Sequence, residues 1–202
     1  PRLCFVTAVP MTVSSFLYGH IMHLSASYDV YVVSDFSVQK IELEGVKCIS
    51  VPIPRNIALL SDLKALVLLW RVFREYRFDI TISVTPKAGL LSALAGFLSH
   101  IPVRVHWFTG QVWVTQQGVM RQLLKALDKL TATLNTQLLA DSLSQKDFLV
   151  AESICKAKDI EVIANGSICG VDSVRFQPNT QASLNIREQH HISPQAKVVL
   201  FL

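Results

Sequence analysis

The stretch Ile160–Pro178 reads I-E-V-I-A-N-G-S-I-C-G-V-D-S-V-R-F-Q-P, and its punctuation divides the chain. Ile160–Ala164 is a short apolar strand. Asn165-Gly166 favours positive φ and therefore a sharp turn. Gly170 precedes Val171-Asp172, and Phe176 and Pro178 follow at fixed offsets. The segment is expected to lead out of one domain, residues 1–165, through a linker, 166–182, into the start of a second, 183–202. There, Ala182–His191 looks like a short helix and Lys197–Leu202 like a first strand.

Upstream, apolar strands alternate with helical patterns. Arg2–Ala8, Val30–Ser34, Val46–Val51, Asp79–Val84, Val103–Phe108, Gln137–Ala140 and Ile160–Ala164 read as strands. Thr12–Tyr28 is helical, with Phe16, Leu17, His20, Ile21 and Leu24 at three-to-four spacing. Ser61 can cap a helix to Tyr76, with Leu63, Leu66, Val67, Trp70 and Phe73 on the face that packs. Thr85-Pro86 starts a helix with a capping threonine and a first-turn proline, and it ends before His100. Another helix covers Val119–Asn135, and Ser144 with Asp147 resembles a capping box for a helix to Glu152. Strands apolar on both faces, alternating with helices, imply a Rossmann-like, doubly wound parallel sheet with right-handed crossovers.

Composition narrows the function. Half of the 202 residues are apolar, 17% are charged and the formal net charge is +4. That apolar fraction suits a buried parallel sheet or a membrane-facing surface. The longest apolar run, Gly89–Leu98, falls short of the roughly 18–20 residues that span a bilayer. Leu3–Val9 is short and strand-like, unlike a secretory signal, so a cytoplasmic protein is expected, and Asn165-Gly166-Ser167 is then a chance glycosylation sequon. A chain that begins at Pro1 is expected to have been trimmed. Cys4, Cys48, Cys155 and Cys169 are scattered, which suits buried reduced thiols rather than a metal site. No dense basic stripe with interleaved aromatics marks a nucleic-acid binder.

Ligands of such sheets bind at the carboxyl ends of the strands. The loop after the first strand offers Thr12, Ser14 and Ser15, as anion-binding hydroxyls or as plain helix caps. The absence of G-x-G-x-x-G there argues against a nicotinamide or flavin enzyme, and no cofactor is expected. In T-P-K-A-G, Lys87 sits in a helix's first turn, where the dipole disfavours a lysine placed for stability alone and where a phosphate would be welcome. In H-W-F-T-G-Q-V-W, Thr109, Gly110, Gln111 and Trp113 combine an aromatic face for a sugar ring with close backbone approach. Core packing is the other reading of both tryptophans, and the preferred one for Trp107. His190-His191 read as surface residues.

N-G…G-V-D-x-x-x-F-x-P, S-V-T-P-K-A-G-L-L and R-V-H-W-F-T-G-Q-V-W together resemble bacterial members of glycosyltransferase family 4, retaining enzymes of the two-domain GT-B fold that build O-antigen or capsular sugars. Ser167-Ile168-Cys169-Gly170 lengthen the family's compact N-G-V-D. Asn165, Gly166, Gly170 and Asp172 thereby take the interdomain positions. The resemblance implies transfer from a nucleotide sugar, UDP-linked, to a lipid-linked saccharide acceptor, with this chain as the acceptor-side half. The donor-gripping residues would lie in the second domain, so the chain is expected to be inactive alone. The family's paired glycines are absent after the first strand. Its loop histidine is replaced by Thr109, and its role does not pass to His106, which lies within the strand. Arg55 and the helix Ser61–Tyr76 suggest peripheral contact with the inner face of a membrane. A sugar-nucleotide epimerase of the same architecture and a non-catalytic interaction module are the alternatives.

Overall fold

Strands that are apolar on both faces need helices on both sides, and the computed structural model, which describes residues 1–54 and 58–200, has that architecture. Seven parallel strands are ordered β3-β2-β1-β4-β5-β6-β7. They are β1 (Arg2–Val6), β2 (Asp29–Ser34), β3 (Lys47–Ser50), β4 (Ile80–Val84), β5 (Val103–Phe108), β6 (Gln137–Ala140) and β7 (Ile160–Glu161). The register sets Leu3 beside both Val30 and Ile80, so β1 is central and the order reverses beside it.

Alternate residues of a strand face opposite ways, and β1 feeds two cores accordingly. Cys4 and Val6 join Ala65, Leu69 and Phe73 of α3 (Leu59–Tyr76) and Ala88, Leu91 and Ala95 of α4 (Pro86–Leu98). Leu3 and Phe5 join Val13, Leu17 and Ile21 on the other face. A third core gathers Phe108, Trp113, Leu138 and Ile160 with residues of α5 (Gly118–Leu134) and α6 (Leu143–Ala151). Gly89 of α4 rides directly on the His106 ring, and a Cβ there would overlap it. Burial holds His106 neutral, lowering its pKa to about 4, with Ser83 Oγ 3.0 Å from Nδ1 and Phe108 edge-on at 4.5 Å.

Several local details depart from the sequence-based expectations. The first helix starts at Pro10 and is not uniform: α1 (Pro10–Thr12) passes into a π turn, Val13–Leu17, and then α2 (Tyr18–Ser25). Its buried stripe is Val13–Leu17–Ile21, and Phe16 turns outward. Ser61 does not cap α3. The N-cap is Ala58, whose N–H donates to Asp62 Oδ2 at 3.2 Å. The packing face of α3 is Ala65–Leu69–Phe73, which leaves Leu63, Val67 and Trp70 exposed. Ser142, not Ser144, caps α6 by accepting the Gln145 N–H. β7 stops at Glu161. Cys48 is exposed because β3 is an edge strand, Cys155 is half-buried and Cys169 is exposed, so the buried-thiol expectation holds for Cys4 alone. Arg55 lies outside the described residues.

The chain forms two compact units, Pro1–Cys169 and Gly170–Leu202. The first therefore extends past residue 165. Ser167 N–H donates to the Asp141 carbonyl at 2.6 Å, His20 Nε2 donates to the Ile168 carbonyl at 2.5 Å, and Ile168 is buried in the sheet's second core. In the second unit Asp172 Oδ1 accepts the N–H groups of Val174 and Arg175. Asn179 caps α7 (Thr180–Gln189), which starts two residues before the expected Ala182. Residues 197–200 carry no strand, and Phe201 and Leu202 lie outside the described residues.

Candidate functional site

The reversal of strand order between β1 and β4 opens a crevice at their carboxyl ends, because the chain leaves β1 toward one face and β4 toward the other. Four loops border it: those after β1, β4, β5 and β6.

After β1, Thr7 is fully buried and its hydroxyl spans to Ser34 Oγ at 3.1 Å. Pro10 takes the first helical position, which needs no N–H. Of the three candidate hydroxyls, Thr12 is buried and Ser14 bonds back to the Met11 carbonyl at 3.2 Å. Ser15 alone faces a cavity, of about 250 Å³, lined also by Phe16, Tyr18, Gly19, His20 and Cys169. The His20 ring tilts against Trp107 at 5.4 Å.

After β4, Thr85 holds φ 78° and ψ 142°. A β-branched residue there stores strain of about 1–3 kcal/mol, typical of sites where geometry is held for a purpose. Thr85 occupies the N-cap position of α4, but its hydroxyl makes no cap bond and is buried without a partner. Lys87 Nζ lies 2.8 Å from Asp62 Oδ1, both side chains about four-fifths buried. The pair ties the first turn of α4 to that of α3, so the ammonium arrives at the crevice already partnered by a carboxylate.

After β5, Thr109 and Gly110 are exposed, and a Cβ at Gly110 would touch nothing within 4 Å. Gln111 is half-buried with Nε2 unpartnered. Trp113 is a correction. It is 1% exposed, donates to Asp128 Oδ2 at 2.7 Å, stacks on Phe148 at 5.4 Å and is covered by Arg121 and Lys125. No face is left for a sugar, and core packing is its role. Burial pushes Asp128 up to about 6 despite the indole N–H. Trp107 is buried, as preferred from sequence.

After β6, Asp141 is a site residue that the sequence did not flag. Burial raises its carboxyl above the usual range, and the Trp107 indole N–H opposes that shift. By strict hydrogen-bond geometry, though, Trp107 Nε1 and Asp141 Oδ1 each lack a partner. The nearby N–H moderates the carboxylate without satisfying it. Of the buried side-chain polar atoms without partners among the described residues, those of Thr85, Trp107, Gln111 and Asp141 all fall at this edge, and only Ser99 Oγ lies elsewhere. Gly166 presses on the Asp141 carbonyl with φ 91°, so a side chain there would collide with it. Asn165 is an exposed turn residue, and Gly170, with φ 62°, opens the second unit.

A larger cavity, about 700 Å³, opens at the opposite, amino edge beside Lys129, Asn135 and Cys155. The carboxyl-edge rule favours the smaller one. Among the described residues no cluster of His, Cys, Asp or Glu could hold a metal ion.

The glycosyl transferase 4-like domain matches residues 23–166, from the last turn of α2 to the turn on Asp141. The chain belongs to this family. It is 29% identical over 163 residues to the capsular polysaccharide biosynthesis glycosyltransferase CapM of Staphylococcus aureus, covering 81% of this chain and 42% of CapM. It is 28% identical over 137 residues to the UDP-Gal:alpha-D-GlcNAc-diphosphoundecaprenol alpha-1,3-galactosyltransferase of Escherichia coli, covering 67% and 34% of the two chains. It therefore spans less than half the length of these relatives. Sucrose-phosphate synthase of Thermosynechococcus elongatus shares the fold, with TM-score 0.66 at 13% identity over 96% of this chain and 53% of that one. The residues that border the cavity and the crevice loops without having been expected there from the sequence are Phe16, Tyr18, His20, Thr85 and Asp141, and the first three precede the matched residues. Adjacent apolar residues at 16 and 17, only one of which can lie at the centre of a helix's packing stripe, were the available signal for Phe16.

Proposed function

We propose that this chain is the acceptor-side half of a retaining glycosyltransferase. The enzyme transfers a sugar from a UDP-linked donor to a lipid-linked saccharide in O-antigen or capsule synthesis, at the cytoplasmic face of the membrane. The observation that carries this reading is the family match over residues 23–166, which takes in the crevice loops after β4, β5 and β6. The two relatives' names support the substrate classes. Thr109, Gly110 and Gln111 approach the substrates after β5. Ser15 serves the acceptor side, while Thr12 and Ser14 shape the loop behind it. The first turn of α4 with Lys87 suits a phosphate, although Asp62 offsets part of that charge. The donor diphosphate is held mainly by a second domain, and transfer requires both halves to close and exclude water.

Membrane contact is supported by α3. Leu59, Leu60, Leu63, Val67 and Trp70 are exposed, and Lys64, Arg71 and Arg74 share their side of the helix, opposite Ala65–Leu69–Phe73. An apolar ridge flanked by cations suits an anionic interface. Among the described residues no helix is long and apolar enough to cross a membrane.

The test joins this domain to a donor-binding domain and assays UDP-sugars with a polyprenyl-diphosphate saccharide, reading the product's anomeric configuration by NMR. Retention supports the mechanism. Failure with every nucleotide sugar, or turnover by the 202-residue chain alone, overturns it. Sedimentation with vesicles containing about 30% anionic lipid tests α3. Binding that survives Leu60→Ser combined with Arg71→Glu would remove the helix from the interface.

A further inference from the structure

The cavity beside the π turn is lined by aromatic and small polar residues. Phe16 is 43% exposed and Tyr18 53%, whereas Trp107, Phe108 and Trp113 after β4 in the chain are all buried. The π turn Val13–Leu17 keeps Val13 and Leu17 in the core while releasing the aromatic side chains between and beyond them to the cavity wall. Such turns are rare and concentrate at functional sites. Gly19 adds no side chain, and a Cβ there would meet nothing within 4 Å.

His20 supplies direction. Its Nε2 faces the Ile168 carbonyl at 2.5 Å. A carbonyl only accepts, so Nε2 carries a proton, and in the neutral ring Nδ1 is an acceptor. Among the described residues Nδ1 has no hydrogen-bond partner, and the ring lines the cavity. Aromatic faces, one acceptor nitrogen and the Ser15 hydroxyl, with no Lys or Arg on the wall, match the apolar C–H face and hydroxyl rim of a neutral sugar. They do not match a phosphate. A volume of about 250 Å³ has room for one ring.

We propose that this cavity binds one neutral pyranose ring of the saccharide acceptor, stacked on Phe16 and Tyr18, with His20 Nδ1 accepting a ring hydroxyl. The assignment to the acceptor rests on the transferase reading above. The sugar site itself does not.

The test titrates the 202-residue chain with methyl hexopyranosides, methyl N-acetylhexosaminides and inorganic phosphate, following tryptophan emission, since Trp107 contacts His20, and amide shifts by NMR. Saturable binding of at least one glycoside is expected, with shifts centred on residues 15–20. Phe16→Ala and Tyr18→Ala should each weaken it about fivefold, and Lys129→Ala, at the other cavity, should leave it unchanged. His20→Ala should weaken it as well, and comparison of its amide spectrum with wild type separates lost binding from displacement of Ile168. No saturable glycoside binding, binding that survives both aromatic variants, or phosphate in preference to sugar overturns the site. In the two-domain assay, glycoside binding without glycosyl transfer would sink the transferase reading and leave the sugar site standing. Transfer with an acceptor KM insensitive to Tyr18→Ala would do the reverse.

Discussion

Two aromatic segments lie at the carboxyl edge of this sheet, and they use their rings in opposite ways. Trp107–Trp113 carries the more conspicuous composition, yet its large rings are buried and the Trp113 indole N–H is engaged. Phe16–His20 draws less attention in the sequence, yet its Phe and Tyr are exposed on a cavity wall. A large ring stabilises either a core or a ligand. Which one it serves depends on what the fold stacks over it: α6 supplies Phe148 over Trp113, while among the described residues no ring stacks over Tyr18.

The strongest way to break this contrast is truncation. Trp113→Ala should cost about 3–5 kcal/mol in urea unfolding, whereas Phe16→Ala and Tyr18→Ala should stay within about 0.5 kcal/mol. Equal costs at the two places would end the distinction.

The polar handle of Trp113 should show itself through pH. Asp128 is raised from 3.8 to about 6, so the folded state holds the extra proton between those values, and this component of stability falls as pH rises through that window. His106 is lowered from 6.5 to about 4, so the unfolded chain holds the extra proton, and its component rises over a similar window. The two oppose one another. Asp128→Asn should remove the falling component and leave stability climbing from pH 4 to 6.5 by up to about 3 kcal/mol more than in the wild type. Unfolding midpoints at several pH values would read this, and a profile identical to wild type would show that Asp128 titrates alike in the folded and unfolded chain.

A smaller effect is expected at the lid over Trp113. Glu152 accepts from Lys125 at 2.6 Å and Arg121 at 3.2 Å, and the Lys125 contact chiefly holds its carboxyl below the usual range. Glu152→Gln should lower the unfolding midpoint only slightly, and high salt should erase the difference. The smallest difference separates neighbouring serines: Ser14→Ala should cost about 0.5 kcal/mol through its bond to Met11, while Ser15→Ala should leave the melting temperature unchanged and weaken only saccharide binding.

The sheet was legible because buried parallel strands announce themselves as apolar runs between turn signals. The crossovers then followed from handedness. The site was legible only as a set of loops. Spacing could not tell that a π turn rotates Phe16 out of the stripe that Leu17 and Ile21 keep, because the turn is fixed by packing on strands far away in sequence. Nor could it tell that α3 buries Ala65–Leu69–Phe73 rather than Leu63–Val67–Trp70, since both stripes are apolar at helical spacing. The Lys87–Asp62 pair joins residues 25 apart, which no local pattern predicts. The unpartnered atoms of Thr85 and Asp141 exist only once the strands are assembled.

The contact between Gly89 and His106 has an evolutionary consequence. The helix can lie that close to β5 only because one partner has no side chain and the other fills the space it leaves. The two positions are therefore epistatic. Alanine at 89 is tolerated only after residue 106 has become smaller, and the same two substitutions in the reverse order pass through a protein whose fourth helix no longer fits its sheet. Among descendants of this sequence, position 106 should change before position 89.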